Sequence, residues 1–465
     1  MTVAQHDIPT AVLGICRTLA DRGHGAWIVG GCVRDLLLGR PPHDWDVCTT
    51  ALPTEMLDIF PGAIPTGLAH GTVTVLRDRV PFEVTTLRGE SGYSDGRHPD
   101  EVRFVRDIVE DLARRDFTVN AMAFDPTKGD GDLVDPFAGQ ADLAARAIRA
   151  VGDPVARFGE DGLRVLRAAR FAATLEFDLD PATAAAIPGA LPVLRKVSAE
   201  RVRDEWLKAF LARVPSRAFE VMRAGGILAV VCPELLEGVG CTQNHWHSFD
   251  VWTHTMLTLD GVAPDPLLRA AALLHDIAKP RTRSVIDECM GPVHFYGHEK
   301  LGAQMADAWL RAYRFPVADR EAVVHLVRNH LVLYERTWTS ATVRRFMRRV
   351  GLEAMPRLMA LCRADARAKG PELARTVAAN LLDLDDLQER MDVQSLPAEK
   401  PLALSLRDLA VDGHDLMCEL GLAPGREVGR LLEALLERVL EDPGVNERER
   451  LLGLARELGG KEGTQ

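Results

Sequence analysis

The chain has 465 residues, too many for one compact core, and a composition of 47% hydrophobic and 26% charged residues typical of a globular protein with about two to four domains. A formal net charge of −11 argues against a surface that binds polyanions throughout. No run approaches the roughly 18 apolar residues of a membrane span. The N-terminus has neither the basic start nor the apolar core of a secretory signal. The eight cysteines are scattered without a CxxC pair, so reduced thiols in a cytoplasmic protein without membrane association are expected.

Along the chain, PTAVLGICRTLADRG reads as a helix ending in Gly, AWIVGG as a short strand into a turn, and VRDLLLG as a helix closed by Gly39. DWDVCTT reads as extended, PTEMLDIFPG as a helix with Pro at its start, and GTVTVLRDRVPFEVTTLR as two alternating strands around Arg77-Asp78-Arg79. After Pro136 the strand signals largely stop, and helical patterns such as GLRVLRAARFAATL and AERVRDEWLKAFLARV take over. A His-rich section spans roughly 241–370, amphipathic helices such as VGRLLEALLERVL follow, and the tail after Gly459 is expected to be disordered. Residues 146–223 hold fourteen Lys or Arg against ten Asp or Glu, an excess of four positive charges that offers a strip for nucleic acid or, more plainly, mixed-sign solvated helices.

The stretch VGGCVRDLLLGRPPHDWDVCTT, residues 29–50, concentrates chemistry. On a strand, Asp44 and Asp46 face one way and Trp45 turns into the core. Two carboxylates held so can share a pair of divalent ions, as two-metal phosphoryl transfer requires. The Gly30-Gly31 turn lets backbone approach a phosphate. Glu83, on a strand expected alongside, offers a third carboxylate. DxD and Gly-Gly are each common by chance, but strand, Gly-Gly, helix and DxD strand in that order is far more selective.

With IVGGCVRDLLLGR and DWDV in place, the sequence resembles the class II tRNA nucleotidyltransferase and bacterial poly(A) polymerase family, a branch of the polymerase β-like nucleotidyltransferases. RRDFTVNAMA (114–123), DPFAGQADL (135–143), EDGLRVLRAARF (160–171) and ERVRDEWLKAF (200–210) resemble its further motifs, in the family's order. The resemblance implies that Asp44 and Asp46 bind two Mg²⁺ and activate the 3′-hydroxyl of an RNA end. It places Gly30, Gly31 and Arg34 near the triphosphate, and Arg115, Asp116 and Asn120 on the ribose and phosphates. Asp161 and Arg164, read as three apart on one helix, form an acceptor–donor pair matched to the Watson–Crick edge of C or A, with Arg167 also assigned to the nucleotide. Read without the family, the same charges are an ordinary helix N-terminal pair. The loop Gly89–Arg106 has the length that the resemblance associates with addition beyond CC.

In WTHTMLTLDGVAPDPLLRAAALLHDIAKP, starting at Trp252, His254 lies on one helical run and His275-Asp276 on the next. Imidazoles and a carboxylate suit a divalent metal. The pattern resembles the HD metal-dependent phosphohydrolase domain, and His298, His330 and Asp365 complete that superfamily's ligand set, the metal's identity being left open. His245 and His247 are candidates for either a pocket wall or the surface. An intact HD site implies phosphatase, 2′-nucleotidase or 2′,3′-cyclic phosphodiesterase activity on RNA ends.

The expected architecture is an α+β nucleotidyltransferase head with a mixed sheet (1–145), a helical neck for nucleobase recognition and RNA binding (146–235), an HD domain (240–370) and a helical tail assigned to tRNA binding (371–465). The expected function is template-independent addition of CCA, from CTP and ATP, to the 3′ end of tRNA, with pyrophosphate released and the acceptor/TΨC arm bound. Addition of A only or CC only, and poly(A) synthesis, share these motifs. A different class remains, an HD phosphohydrolase with a degenerate nucleotide-binding head. Monomer and homodimer are both left open.

Overall fold

The structure, a computed structural model, describes residue 3 and residues 5–68, 71–91, 101–285, 293–395 and 402–462. Most of the loop singled out between Gly89 and Arg106 (92–100) and Cys289 lie outside the described residues. The chain divides into two compact units, Met1–Leu236 with Ala312–Arg314, and Glu237–Arg311 with Phe315–Gln465.

The first unit opens with helix Thr10–Asp21, which buries Val12, Ile15, Cys16 and Leu19 at the spacing of one helical face. Then come β1 (Ala26–Val29), helix Gly31–Leu37, β2 (Asp46–Thr49), helix Pro53–Ile59, β3 (Ile64–Gly67), β4 (Thr72–Arg77) and β5 (Val80–Thr86). β6 (Arg88–Ser91) and β7 (Glu101–Phe104) pair with each other, and β8 (Ala123–Asp125) and β9 (Asp132–Val134) complete the head. Seven strands form one mixed sheet in the order β3-β4-β5-β2-β1-β8-β9. Within it β2 runs parallel to β5 and antiparallel to β1. Asp78 and Arg79, with φ of 52° and 66°, make the tight turn from β4 to β5 that matches the twist of a hairpin.

β2 begins only at Asp46, so Asp44 and Trp45 precede the strand. Trp45 is half-buried rather than in the core. The expected anchoring is instead carried by Val47, Cys48 and Thr49, all buried, because the strand's own pairing with β1 and β5 fixes its orientation.

Beyond the sheet the unit is helical: Pro154–Glu160, Leu163–Thr174, Pro181–Leu194, Ala199–Phe210 and Ser216–Ala224. Two-residue strands at 147–148 and 178–179 are a minor addition to that pattern. Trp206, fully buried, packs edge-on against Phe210 and Phe219 with centroids at 6.2 and 5.1 Å and pins Ala199–Phe210 to Ser216–Ala224.

The second unit is built from helices that include Val251–Asp260, Pro266–Leu274, Val317–Asn329, Met355–Arg367 and Ala374–Ser395. Its C-terminal part has its own core, with Leu416, Leu435, Leu436 and Leu451 fully buried between helices Gly413–Leu420, Arg426–Glu441 and Arg448–Glu462. The last helix runs through Glu462, so the expected disorder after Gly459 is not found at 460–462, and 463–465 lie outside the described residues. The seven cysteines among the described residues are free thiols. No described helix is long and apolar enough to cross a membrane.

Candidate active site

In the first unit Asp46 stands at the head of β2 and pairs in register with Glu83 of β5. Side chains of registered neighbours in a sheet share a face, so two carboxylates meet here, with Asp44, exposed, two residues before. Desolvation raises the Asp46 pKa above the usual carboxylate value; Arg115 opposes the shift, while the charges of Glu83 and Asp44 add to it. A carboxylate crowded by like charge and open to solvent on one side is a donor set that suits a hard divalent cation.

Gly30 precedes helix Gly31–Leu37 at φ 78°, and a Cβ there would lie 2.6 Å from Arg115 Nη1. Its N–H donates to Met122 O at 3.1 Å, which ties the turn to the RRDFTVNAMA segment. Arg34 donates from Nη1 to Asn120 Oδ1 at 2.6 Å and pairs with Asp35 at 2.9 Å. Asp116 is buried; it accepts from Arg167 Nε at 2.6 Å, from Phe117 N at 2.9 Å and from Asn120 Nδ2 at 3.2 Å. Burial alone would raise its pKa, but Arg167 and Asn120 outweigh it and hold the carboxyl below the usual range. Arg115 is held by Asp111, whose fully buried carboxylate also takes Arg114 at 2.8 Å.

Asp161 and Arg164 do not share a helix. Asp161 is the extended residue (φ −143°) that breaks Pro154–Glu160 from Leu163–Thr174, where its carboxylate accepts from Leu163 N at 3.0 Å. The break is enforced from outside, since Arg201 grips the same carboxylate with two bonds of 3.2 and 2.6 Å. Arg164 is buried; it donates to Arg157 O at 2.8 Å, to Arg114 O at 3.0 Å and to Glu160. Both side chains still open on one cleft.

That cleft, about 490 Å³, is lined by Gly30, Gly31, Arg34, Asp46, Arg115, Asp116, Asn120, Asp161, Arg164 and Arg167, all singled out from sequence. Asp44 and Glu83 are not among its lining residues. Arg114, Arg170, Arg201 and Phe171 line it too and were not foreseen. The guanidinium groups of Arg34, Arg167 and Arg170 surround the Phe171 ring at 5.4, 5.4 and 3.8 Å from its centroid. Seven arginines face three aspartates here, a local excess of positive charge inside a chain of net charge −11. The arrangement favours a polyanion such as a triphosphate.

In the second unit Asp276 centres a cluster of buried imidazoles. Its Oδ2 lies 3.1 Å from His275 Nε2 and 3.5 Å from His254 Nε2; its Oδ1 lies 3.6 Å from both His298 Nε2 and His330 Nε2. Asp365 Oδ1 approaches His254 Nε2 at 2.9 Å. Each of the four rings has its Nδ1 against a backbone carbonyl, of Ala368, Ala272, Phe295 and Val327 respectively for His254, His275, His298 and His330, at 2.7–3.2 Å. That fixes the tautomer with every Nε2 lone pair facing inward. His254 Nε2, His275 Nε2 and both Asp276 oxygens are buried without a well-aligned hydrogen bond. Such groups are costly unless a cation joins them.

The donors sort into overlapping groups able to hold a metal: His254, His275 and Asp276; Asp276, His298 and His330; and His247, His254 and Asp365. Asp276 belongs to two of them, the geometry of a carboxylate shared between two ions. Burial opposes ionisation of Asp276, yet His275 and Lys279, whose Nζ lies 2.6 Å away, hold its pKa well below the ordinary value. His247 thus joins the cluster from beside His254, while His245 is exposed.

A mixed sheet carrying paired carboxylates beside an arginine-rich cleft suits a nucleotidyltransferase, and the head domain is that of the poly(A) polymerase class. The chain matches the poly A polymerase head domain over residues 26–149, a probable RNA- and SrmB-binding site of polymerase A over 176–238, and the HD domain over 246–370. It is 32% identical to the CCA-adding enzyme of Limosilactobacillus fermentum over 446 residues, 96% of each chain. The chain belongs to the family of the CCA-adding enzymes. A match of 47% to the Lactobacillus johnsonii CCA-adding enzyme runs over 221 residues, 48% of this chain and 55% of that relative, so it spans about half the relative's length. The crystal structure of the Bacillus stearothermophilus CCA-adding enzyme in complex with CTP superposes with a TM-score of 0.74 at 28% identity, covering 97% of this chain and 98% of that one.

Proposed function

We propose that this chain adds C, C and A to the 3′ end of tRNA, using CTP and ATP and releasing pyrophosphate. The observation that carries the reading is the arginine-rich cleft on which Asp46, Asp161 and Arg164 open together, with Glu83 paired in register beside Asp46. Two Mg²⁺ on Asp44 and Asp46 would supply the clamp on the attacking and leaving oxygens. Arg34 and Arg115 hold the triphosphate, while Asp116 and Asn120, bonded to each other with Arg167 fixing Asp116, meet the ribose. Asp161 offers acceptors and Arg164 donors to the edge of C or A, so base choice needs no template. The excess positive charge between 146 and 223, together with the tail 371–465, takes the acceptor and TΨC arm.

We read 1–145 as the catalytic head, 146–235 as the neck, 240–370 as the HD domain and 371–465 as the tail, acting on tRNA in the cytoplasm as a monomer or homodimer. Purified protein given tRNA ending at the discriminator base, at C or at CC, with labelled CTP or ATP, tests the assignment. Incorporation of ATP alone makes the enzyme an A-adder, of CTP alone a CC-adder, and runs of A a poly(A) polymerase.

A second activity is favoured by the inward-facing Nε2 and carboxylate atoms around Asp276, buried without a well-aligned hydrogen bond. In this reading the HD cluster, loaded with one or two divalent ions, hydrolyses phosphate esters at RNA ends: water bonds to phosphorus, the P–O bond to the ribose breaks, and the departing oxygen takes a proton. Replacing Asp44 and Asp46 with Ala should stop nucleotide addition and leave hydrolysis intact; replacing His275 and Asp276 should do the reverse. Loss of both activities in either variant would overturn the division into two sites.

A further inference from the structure

Beside the histidine cluster, within the second unit, lies a separate cavity of about 270 Å³, at the small end of ligand pockets. Its wall includes His330 and Asp365, which belong to different groups of the cluster, so the cavity reaches two of the three groups able to hold a cation. Asp365 is the ligand open to it, with a side chain 25% exposed against 1% for Asp276.

The rest of the lining is not that of a metal cage. Tyr334 supplies an aromatic wall held in place through its hydroxyl, which bonds Asp386 and accepts from Arg390 Nη1 at 2.8 Å. Leu333, 73% exposed, presents a bare apolar face from the connecting segment. The wall also carries Lys369, Asn380 and Asp383; Asp383 is paired with Arg336 at 2.9 Å, whereas neither the Lys369 nor the Asn380 side chain has a hydrogen bond or ion pair among the described residues. An ammonium seeks phosphate or a sugar hydroxyl, an amide offers one donor edge and one acceptor to a base, and Tyr334 with Leu333 suits a flat ring.

We propose that this cavity is the subsite for the nucleoside of a ribonucleoside phosphate ester whose phosphate faces the histidine cluster, with Lys369 and Asn380 as its polar contacts. The inference rests on the reading of the HD cluster as a phosphohydrolase and adds to it what the site recognises beyond phosphorus. A subsite of this kind discriminates a nucleotide from a bare phosphate ester, which the metal ligands alone do not.

The full chain, loaded with Mn²⁺ and with CTP present to fill the head, is titrated calorimetrically with cytidine 3′-monophosphate and with inorganic phosphate. The wild type is expected to bind the nucleotide about tenfold more tightly than phosphate. Lys369→Met and Asn380→Ala, both at half-buried positions, should bring nucleotide binding down toward phosphate while leaving phosphate binding, metal content and melting temperature unchanged. An oligonucleotide bearing the same 3′-phosphate separates sources: tighter binding than the mononucleotide assigns the site to RNA ends, equal binding to free nucleotides. Equal binding of nucleotide and phosphate by the wild type, or an unchanged preference in both variants, overturns the subsite. Hydrolysis of 2′,3′-cyclic CMP, assayed in parallel, separates the two readings, since a nucleotide preference without turnover sinks the hydrolase and leaves the subsite standing.

Discussion

Asp46 and Glu83 face each other in register across the parallel pair β2–β5, so a carboxylate from each strand reaches the same face of the head sheet. Asp46→Asn should lower nucleotide incorporation on the order of 10³-fold or more if this carboxylate holds the metals as proposed. Glu83→Gln should cost less, about ten- to a hundredfold, and recover partly at raised Mg²⁺. Labelled-nucleotide incorporation against Mg²⁺ concentration reads both. The folded-state pKa of Asp46 is raised, so its contribution is fully present at acid pH and is lost as pH rises through that pKa. Asp46→Asn should therefore melt no lower than the wild type at neutral pH without metal, and full activity in that variant would remove Asp46 from the reaction.

Gly30 and Gly31 should respond very differently to Ala. At Gly30 the added Cβ meets Arg115 Nη1 at 2.6 Å on a backbone with φ 78°, whereas at Gly31 the nearest atom is Arg34 Nη2 at 3.5 Å, an ordinary contact. Gly30→Ala should cost about 1–2 kcal/mol of stability from the left-handed backbone alone and raise KM for the nucleotide by displacing Arg115. Gly31→Ala should stay within about twofold of the wild type. Denaturant melts and initial rates on both variants check the contrast, and equal effects would deny Gly30 its special place.

Much of this was legible in the chain. Alternation in GTVTVLRDRVPFEVTTLR gave β4 and β5, because a half-buried strand needs a period of two, and Asp78-Arg79 marked their turn. Most of the residues that the fold brings together in the cleft and in the histidine cluster could be named from motifs, as far as spacing carries. What escaped are relations made only in three dimensions. Asp161 reads as helical because its neighbours do, yet Arg201, forty residues away, grips it across a break. Trp45 reads as a core anchor by alternation, but pairing of β2 starts one residue later. Arg114, Arg170 and Arg201 look like ordinary charges on solvated helices until the fold turns them into one cleft.

The Arg201 grip yields a further test. Arg201 is the only side chain bonded to the Asp161 carboxylate among the described residues, and without it that carboxylate keeps only the bond from Leu163 N at 3.0 Å. Arg201→Met should lower kcat/KM for nucleotide addition by about ten- to a hundredfold, the value of a charged bidentate contact. It should also narrow the preference for CTP or ATP over GTP and UTP, because a mobile acceptor no longer matches one base edge. Arg201→Lys should restore charge without the fork and recover little. Misincorporation assays with all four nucleotides decide it; a uniform rate loss with selectivity intact would make Arg201 a mere structural prop.

Metal removal and acid should act on the second unit through the same residues. Burial lowers the pKa of His247 to about 2 and that of His298 below its ordinary value, in the latter case with the charges of His330 and Lys279 adding to burial and that of Asp276 opposing it. The folded protein thus refuses protons that the unfolded chain accepts below about pH 6.5, and stability falls as pH drops from there toward the lowered values. A bound ion adds stabilisation that also fades in acid, since its ligands must be deprotonated. The melting temperature should therefore fall on adding chelator at pH 7.5, fall further between pH 7 and pH 5, and show a smaller chelator effect at pH 5 than at pH 7.5. His247→Gln should flatten part of the pH dependence in chelator, since it removes one buried imidazole while leaving His254, His275, Asp276, His298 and His330 in place. A melting temperature indifferent to both chelator and pH would mean that the inward-facing Nε2 atoms bind no cation and that their burial is balanced elsewhere.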